Sequence, residues 1–375
     1  MRRLILKPRE ERRLLRGHLW AYRNEFATAP DLPDGALTDV YAPGGRFVGR
    51  GFYQAEGGIA VRLLTRRQTE IDEAFIENRL TQALALRERL FPGETTYRWV
   101  FGESDGLPGL IVDRYGATAH AMSSCAFYRE QSEAVVRGLM RHAGVEGVRC
   151  EWPGGVETAG DAPNDVEVVM EGLTYQVDLA GGQKTGLFLD QRVNARMMRT
   201  LAPGARVFDG HCYAGMWTME AARAGATETV GVDSSQRAIA AATANAARNG
   251  LDARTRFVCG DVMETLQATE APYDVVLLDP PAWAKTRGAQ GQARTLHQAL
   301  HRAAFGALKP GGFMVTSTCS HHLDPADFVE SIKRAARDVQ RDALILEIAG
   351  AAPDHPVLLA MPETRYLTCV ALRAS

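Results

Sequence analysis

The sequence predicts an α/β protein that ends in a Rossmann-like domain, preceded by a β-rich domain and a small α+β domain. From about residue 180, short apolar segments alternate with alanine-rich stretches, a pattern typical of βαβ units in a parallel sheet. Before residue 72, short alternating segments are separated by Pro-Gly and Gly-Gly turns, which indicates β-strands. We therefore predict three domains, at residues 1–72, 73–179 and 180–375.

The first two domains follow from their local patterns. In the first, "ALTDVYAPGGRFVGRGFYQ" and "IAVRLLTRR" read as strands. In the second, apolar residues near helical spacing predict a helix over 71–90 and another at about 129–142. Strands are expected in "YRWVFGES", "GLIVDRYGATAHAMS" and "DVEVVMEGLTYQVDL". Mixed strands and helices of this kind predict a compact α+β domain.

Acidic residues lie where four predicted strands of the third domain end. The predicted strands of this domain are "RVFDG", "TVGVD", "RFVCGD", "DVVLLD" and "GFMVTST"; the first four end at or next to Asp209, Asp233, Asp261 and Asp279, respectively. One such acid alone is more often a helix cap or a turn residue. Four acids at successive strand ends indicate a ligand crevice, because ligands of open parallel sheets bind beyond the carboxyl ends of the strands.

The loop after the first of these strands restricts the choice of cofactor. A carboxylate that ends the second strand suits a ribose diol. A dinucleotide would also need a G-x-G-x-x-G loop for its pyrophosphate, but residues 209–216 read "DGHCYAGM". The sequence therefore favours a nucleoside without phosphates, and S-adenosylmethionine fits that description.

Charge is distributed unevenly along the chain. The net charge is −2, but residues 1–70 contain 13 Lys and Arg against 8 Asp and Glu. Much of this excess comes from Arg2, Arg3, Lys7, Arg9, Arg12, Arg13 and Arg16. The front of the chain is therefore either a phosphate-contacting surface or a solvated charged face.

Other features exclude several classes of protein. No apolar run approaches the roughly 18 residues that cross a membrane, and the first residues lack a signal-peptide core, so a cytoplasmic location without membrane attachment is expected. Six cysteines occur without a C-x-x-C pair, which argues against a disulfide framework or a zinc ribbon. The cluster Cys319, His321 and His322 is too compact for a tetrahedral zinc site, so no metal is expected.

Four stretches resemble one enzyme family over essentially the whole chain. They are "GGQKTGLFLDQRVNAR", "DPPAWAK", "STCSHH" and "APDHPVLLAMPETRYLTC". They look like class I S-adenosylmethionine-dependent methyltransferases that make 5-methylcytosine in large-subunit (23S) ribosomal RNA. The resemblance implies an N-terminal RNA-binding PUA domain, a small α+β domain and a Rossmann-like catalytic domain. It also implies ribosomal RNA as the partner, and a homodimer is possible.

The resemblance also assigns cofactor-binding residues. Phe188, Asp190 and Arg192 match a segment that lines the cofactor site in the family. Asp233 matches the ribose-binding acid and Asp261 the acid near the adenine amine. Asp209, Tyr213 and Gly215 belong to the cofactor loop. This chain has Met216 where relatives usually have glycine, and a side chain there is expected to crowd the methionine tail of the cofactor.

The chemistry of cytosine methylation predicts two catalytic residues, Cys319 and Asp279. Cytosine C5 is a poor nucleophile, so a thiolate must add to C6 while an acid stabilises the charge that develops in the ring. Cys319 ends the strand that follows the one ending at Asp279. The alternative for Cys319 is a small core residue. His321, His322 and Lys285 lie nearby in sequence or in the crevice and are candidates for lowering the thiol pKa.

RNA contacts are predicted at Arg12, Arg13, Lys184, Trp283 and Lys285. Trp283, in "DPPAW", is placed to stack on an extruded base. However, Asp-Pro-Pro-x-aromatic also resembles the motif of enzymes that methylate exocyclic or ring nitrogens without a cysteine. A noncatalytic RNA-binding assembly factor is a third possibility, for which Met216 is the hint. Because residues 1–70 have an excess of Lys and Arg, we expect charge reversal at Arg12 and Arg13 to weaken RNA binding.

Overall fold

The computed structural model describes residues 1–181, 186–284, 286–320 and 322–375, with no description of the Arg287 side chain. Within these residues the chain forms two compact units, each composed of separate segments. The first unit comprises Met1–Met170, Val177–Leu187 and Pro353–Thr364. The second comprises Glu171–Gln176, Phe188–Ala352 and Arg365–Ser375.

The first unit begins with a five-stranded sheet, as the alternating segments before residue 72 predict. Its elements are β1 (Arg2–Ile5), α1 (Glu11–Leu15), β2 (Trp20–Tyr22), β3 (Leu37–Tyr41), β4 (Phe47–Tyr53) and β5 (Ile59–Thr65). The strand order is β1-β3-β4-β5-β2, with β1 parallel to β3 and the other pairs antiparallel. Leu14, Val40 and Leu63 are among the residues of its apolar core.

A second five-stranded sheet follows in the same unit. The elements are α2 (Glu73–Leu90), β6 (Thr96–Phe101), β7 (Ile111–Tyr115), β8 (Thr118–Met122), α3 (Ala126–Glu130), α4 (Ser132–Met140), β9 (Gly147–Trp152) and β10 (Gly155–Gly160). The strand order is β10-β9-β8-β7-β6. Asp72 caps α2 because its side chain accepts a hydrogen bond from Phe75 N. The helix predicted at 129–142 is two helices, which meet at Gln131.

The third predicted domain contains the parallel sheet. After the two-stranded sheet of β11 (Asp165–Met170) and β12 (Leu173–Asp178) come α5 (Arg192–Ala195), α6 (Met198–Leu201), β13 (Arg206–Gly210), α7 (Met216–Arg223), β14 (Glu228–Asp233), α8 (Gln236–Arg248), β15 (Thr255–Cys259), α9 (Val262–Gln267), β16 (Tyr273–Leu278), α10 (Gln290–Ala307), β17 (Leu308–Thr318), α11 (Pro325–Asp338), β18 (Ala343–Ala349) and β19 (Thr368–Ala374). The order is β15-β14-β13-β16-β17-β19-β18. Strands β13 to β17 are parallel, whereas β19 is antiparallel to both of its neighbours.

This strand order positions the candidate site. The chain runs outward from β13 through β14 to β15, then returns to place β16 on the other side of β13. The order therefore reverses between β13 and β16, and ligands of such sheets bind at this reversal, beyond the carboxyl ends of the strands. No helix among the described residues is long and apolar enough to cross a lipid bilayer.

Residues 353–364 pack with the first unit, although they lie within the third predicted domain. Asp354 is fully buried; its carboxylate accepts a hydrogen bond from Arg98 N at 3.0 Å, and its carbonyl accepts one from Arg87 Nη2 at 2.7 Å. Met361 is also fully buried, in the apolar core of the first sheet. These contacts hold a late segment of the chain against elements formed much earlier in the sequence.

Candidate active site and cofactor site

Three neighbouring strands bring the predicted catalytic residues to one edge of the sheet. The register pairs Gly210 of β13 with Leu278 of β16, and Leu278 with Thr316 of β17. The Asp279 N–H also donates to the Gly210 carbonyl at 3.2 Å. Asp279 and Cys319 therefore follow adjacent parallel strands and emerge at the same edge.

The register also limits the distance between these two residues. Because Leu278 pairs with Thr316, Cys319 lies two positions beyond the level of Asp279, about 7 Å further along the strand direction. Strands are about 4.8 Å apart, so strand geometry continued to both residues would place the two Cα atoms roughly 8 Å apart. Cys319 is half-buried, whereas Cys125, Cys150, Cys212 and Cys369 are buried and Cys259 is exposed.

The loops that carry these residues are linked to each other. Ser320, next to Cys319, is buried, and its hydroxyl accepts a hydrogen bond from Ala284 N at 3.3 Å. Ala284 follows the Asp-Pro-Pro-Ala-Trp motif and is buried in the apolar core of the second unit. The thiol and the carboxylate therefore stand on two loops that are hydrogen-bonded together.

Two amide side chains that sequence reasoning missed hold the Asp279 carboxylate. Gln191 Nε2 donates to Asp279 Oδ1 at 3.0 Å, and Asn194 Nδ2 donates to Gln191 Oε1 at 2.7 Å. Asn194 also donates to the Gly350 carbonyl at 3.0 Å. Both amides are buried. Gln191 lies in the segment "GGQKTGLFLDQRVNAR", which resembles the enzyme family, but no pattern in one sequence indicates that its side chain reaches Asp279.

The loop after β13 has a backbone suited to close approach of a ligand. His211 and Tyr213 have φ of 65° and 47°, and Gly215 has φ of 83°. Left-handed conformations of non-glycine residues are strained and cluster at functional sites. A Cβ at Gly215 would lie 3.1 Å from Ala242 Cβ and 3.2 Å from Phe257 Cζ. This turn therefore favours glycine at position 215 for both space and backbone conformation.

Asp233 and the aromatic pair face this loop. The Asp233 carboxylate accepts hydrogen bonds from Tyr213 N at 3.1 Å and Ser235 N at 2.9 Å. The rings of Phe188 and Tyr213 are half-buried and meet edge to face at 4.9 Å. Because Asp233 ends β14 and is half-buried, its carboxylate is oriented by backbone donors at the end of the strand, where a ribose diol was predicted.

Asp209 differs from its predicted position at a strand end. It lies inside β13 and is 1% exposed, and its Oδ2 accepts hydrogen bonds from Thr218 N at 3.0 Å and Thr218 Oγ1 at 2.6 Å. Burial raises the pKa of Asp209 to about 7. Its Oδ1 is buried and has no hydrogen-bond partner within the described residues. These contacts favour a role in tying α7 to β13 over a direct contact with the cofactor.

Asp190 and Arg192 also have structural partners. Tyr366 Oη donates to Asp190 Oδ2, and the Ala352 N–H donates to the Asp190 carbonyl at 2.8 Å. Arg192 is fully buried and pairs with Glu171 at 3.0 Å. Burial opposes the charge of Glu171, but hydrogen bonds and ion pairs with Arg196 and Arg192 lower the Glu171 pKa to about 2. This ion pair favours a structural role for Arg192 over the predicted cofactor contact.

Asp261 is exposed and is the N-cap of α9, because its Oδ1 accepts a hydrogen bond from Glu264 N at 2.9 Å. Its strand, β15, ends earlier, at Cys259. Asp261 is therefore a helix cap, the alternative to a ligand contact named in the sequence analysis. Because it is exposed, the predicted contact to adenine stays a prediction.

Met216 packs as a partly buried residue against the apolar cluster that contains Val207, Trp217 and Val275. Its effect on the cofactor stays a prediction. Position 216 is the first residue of α7. Because Met216 contributes to the packing of α7, it gives no support to the assembly-factor alternative.

Trp283 is half-buried and packs against other rings. Its ring lies 4.7 Å from His297 and 6.4 Å from His211, measured between centroids. Burial lowers the pKa of His297 to about 3, so the imidazole that packs against Trp283 is uncharged at physiological pH. The predicted contacts at Lys184 and Lys285, and the predicted role of His321, lie outside the described residues.

Arg12 and Arg13, predicted together as RNA contacts, have different environments. Arg12 is exposed. Arg13 donates to Glu25 Oε1 and to the Trp20 carbonyl, each at 2.8 Å, and its guanidinium lies 4.8 Å from the Tyr22 ring centroid. Arg13 is therefore paired with the buried Glu25 whereas Arg12 is not buried, and the RNA contacts of both residues stay predictions.

We expect Arg13→Ala to lower the free energy of unfolding by about 1 kcal/mol, because Glu25 would lose its ion-pair partner while remaining buried. Arg12→Ala removes the same charge and should leave stability unchanged. Urea denaturation followed by tryptophan fluorescence measures the difference. Equal midpoints for the two variants would contradict the structural role of Arg13.

Comparison with known proteins identifies the class of the protein. Residues 4–66 match a PUA-like domain, and residues 123–356 match the family described as S-adenosylmethionine-dependent methyltransferase. The chain belongs to that methyltransferase family, and S-adenosylmethionine is its cofactor. The fold class, the PUA-like domain and the cofactor predicted from the sequence are confirmed.

Individual relatives match over the whole length. The chain is 33% identical to Ribosomal RNA large subunit methyltransferase I of Aeromonas hydrophila and 34% identical to the protein of the same name from Aeromonas salmonicida, covering 99% of each chain in both cases. A putative methyltransferase crystallised with S-adenosylhomocysteine has the same fold, with a TM-score of 0.89 at 20% identity over 100% of both chains.

The described strand ends fit this cofactor. The left-handed turn at Gly215 brings backbone close to the crevice, Asp233 offers an oriented carboxylate for the ribose hydroxyls, and Phe188 and Tyr213 form an apolar wall. With the cofactor bound, Asp233 would hold the ribose hydroxyls and the two rings would form the wall. When bound, S-adenosylmethionine supplies an electrophilic methyl group.

Proposed function

We propose that this protein methylates C5 of a cytosine in large-subunit ribosomal RNA, through a covalent bond between Cys319 and C6 of the base. The names of its full-length relatives support a ribosomal RNA substrate. The PUA-like domain at residues 4–66 supports RNA binding. The choice of carbon over nitrogen as the methyl acceptor depends on the half-buried thiol beside the Asp-Pro-Pro motif.

The placement of Cys319 and Asp279 is the observation that carries this proposal. They follow adjacent parallel strands at one edge of the sheet, on hydrogen-bonded loops next to the strand-order reversal. A planar pyrimidine between these loops would meet a nucleophile at C6 and an acid at N3. Enzymes that methylate nitrogen need no thiol, because the lone pair already acts as the nucleophile.

The reaction then requires four changes in bonding. The Cys319 thiolate adds to C6, and the protonated carboxyl group of Asp279 donates a hydrogen bond to N3, which stabilises the negative charge that enters the ring. C5, now an enamine carbon, takes the methyl group. A base removes the C5 proton, and the electrons of that C–H bond restore the double bond as the C6–S bond breaks. The thiolate is regenerated, and the products are 5-methylcytosine and the demethylated cofactor.

Product identification tests the proposal. The full chain is incubated with deproteinised ribosomal RNA and methyl-labelled S-adenosylmethionine, the RNA is digested to nucleosides, and labelled nucleosides are identified by mass spectrometry. We expect the label in 5-methylcytosine. Label on a nitrogen of a base would establish N-methylation instead, and RNA binding without transfer would establish an assembly factor.

The Gln191 amide is expected to position Asp279 in this reaction. Gln191→Ala removes the 3.0 Å hydrogen bond to Oδ1, so the carboxylate should lose its fixed orientation and kcat should fall about tenfold. Cofactor affinity should stay unchanged, because Gln191 acts on the carboxylate and not on the ribose site. Single-turnover kinetics and calorimetric titration of the cofactor measure the two quantities.

Asn245→Ala provides a matched control for loss of a buried amide. Asn245 is fully buried and binds the Ala214 carbonyl and Gln176 N, so its loss should reduce stability and cofactor affinity together. If Gln191→Ala weakened cofactor binding in the same way and left the chemical step unchanged, the positioning role would be wrong.

A further inference from the structure

A large groove lies in the first unit, whereas the strand ends described above belong to the second. Its volume is about 1040 Å³, and it is lined by the end of β5, the linker to α2, the first half of α2, and residues 103–106. Polar and aromatic side chains of the lining include Arg66, Arg67, Phe75, Asn78, Arg79 and Gln82. This volume is at the upper end of the range for small-molecule pockets, but those pockets are mainly apolar.

Arg79 is an unpaired cation in this groove. It is half-buried, and within the described residues its guanidinium has neither a hydrogen bond nor an ion pair. It lies 5.1 Å from the Phe75 ring centroid and packs on Gly106, where an added Cβ would come within 3.1 Å of Arg79 Cζ. Burial lowers the pKa of Arg79. A partly desolvated charge without a partner is costly, and such sites are suited to an anionic ligand.

Three of the four acidic residues of the lining are already engaged elsewhere, and the fourth, Glu70, is exposed to solvent. Asp105 accepts two hydrogen bonds from the fully buried Arg87, at 2.5 and 2.8 Å. Glu103 accepts from Arg62 Nη1 at 2.5 Å and from Trp20 Nε1 at 2.7 Å. Asp72 caps α2. These three carboxylates already accept hydrogen bonds from other donors and none pairs with Arg79. The Arg79 guanidinium is therefore available to an external anion.

Two further arginines extend the positive lining toward solvent. Arg66 and Arg67 are exposed and follow β5 directly. Arg66 donates to the Gly17 carbonyl, which holds its side chain at the groove, and Arg67 has no side-chain partner within the described residues. Guanidinium groups bind phosphate oxygens in a bidentate manner, and their planes also stack on nucleobases.

We propose that this groove binds a single-stranded segment of the RNA substrate, with Arg79 on a phosphate and Arg67 on a neighbouring one. The inference builds on the proposed function, since it assigns part of the RNA contact to a surface outside the catalytic domain. The amides of Asn78 and Gln82 supply donors and acceptors for base edges. An acidic protein segment would use the same charges but not the stacking surface of the guanidinium over Phe75.

The test measures binding of the full-length protein to a fluorescently labelled single-stranded RNA, by anisotropy, over a series of salt concentrations. Arg79→Ala and Arg67→Ala should each weaken binding by about tenfold and flatten the dependence of log K on log salt by about 0.7 per phosphate lost. Arg89→Ala is the matched control, because Arg89 is exposed on the same helix but does not line the groove. It should retain the affinity and salt dependence of the wild type.

Arg79→Lys tests for misfolding, since it keeps the charge and should lose less affinity than Arg79→Ala. The groove assignment is overturned if Arg79→Ala and Arg67→Ala bind RNA like Arg89→Ala, or if Arg79→Ala loses affinity for polyglutamate but keeps the wild-type affinity for RNA. Methyl transfer separates this inference from the proposed function. Normal 5-methylcytosine formation with unchanged RNA binding by the variants rejects the groove alone, whereas wild type that binds RNA in the groove without transferring methyl rejects the proposed function alone.

Discussion

Cys319→Ala is expected to abolish methyl transfer to cytosine, with a loss of three to six orders of magnitude, on the order of that seen when other enzymes lose a nucleophile. Without the sulfur no electron pair reaches C6, and C5 remains a poor nucleophile even with the methyl donor in place. Cofactor binding should be unchanged, because Cys319 follows β17 whereas the ribose carboxylate, Asp233, ends β14. Single-turnover transfer to RNA and calorimetric titration of the cofactor measure the two effects.

Cys259→Ala is the control for this variant. Cys259 is the exposed one of the six cysteines, and it lies at the end of β15. Its removal should leave the rate unchanged. If Cys319→Ala still made 5-methylcytosine within about tenfold of the wild-type rate, the thiol would not be the nucleophile, and its half-buried position would reflect packing.

Asp279→Asn should reduce the rate of methyl transfer by about 10² to 10³, in line with the loss of one group that stabilises developing charge. The substitution keeps an oxygen that accepts the hydrogen bond from Gln191 Nε2, so the side chain should remain oriented while the acid function is lost. The effect should appear in kcat, with little change in KM for RNA. Pre-steady-state kinetics over a range of pH measure it.

Asp274→Asn makes the same change at the opposite end of the same strand. Asp274 accepts hydrogen bonds from Lys309 Nζ at 2.7 Å and Arg206 N at 2.8 Å, so its replacement should affect stability and leave the chemical step unaltered. A pH–rate profile of Asp279→Asn that matches the wild type in shape and height would show that the carboxyl group does not act in the reaction.

The positions of the parallel strands along the chain could be predicted from sequence, because buried parallel strands are short apolar runs with clear breaks. The segments "RVFDG", "TVGVD" and "DVVLLD" correspond closely to β13, β14 and β16. Placing Asp279 and Cys319 after adjacent strands needed only the alternation of strands and helices. Their catalytic roles remain predictions, as do those of the other site residues.

Side-chain partners far apart in sequence could not be predicted. Asp209 and Asp233 look alike in the sequence, but the first is enclosed beneath α7 and the second ends its strand with backbone donors around it. Arg13 was grouped with Arg12 by charge alone, and only the fold brings Glu25 to it. The packing of residues 353–364 with the first unit also depends on such contacts, through Asp354.

Trapping the covalent intermediate tests the central claim most directly. A short RNA with 5-fluorocytidine at the methylated position is incubated with the full chain and S-adenosylmethionine. Fluorine at C5 cannot leave as a proton does, so the C6–S bond should persist after methyl transfer. We predict a stable, cofactor-dependent protein–RNA adduct whose tryptic peptide carries the methylated fluorocytidine on Cys319. An enzyme that forms 5-methylcytosine in natural RNA but yields no adduct, or one on another residue, would contradict the account.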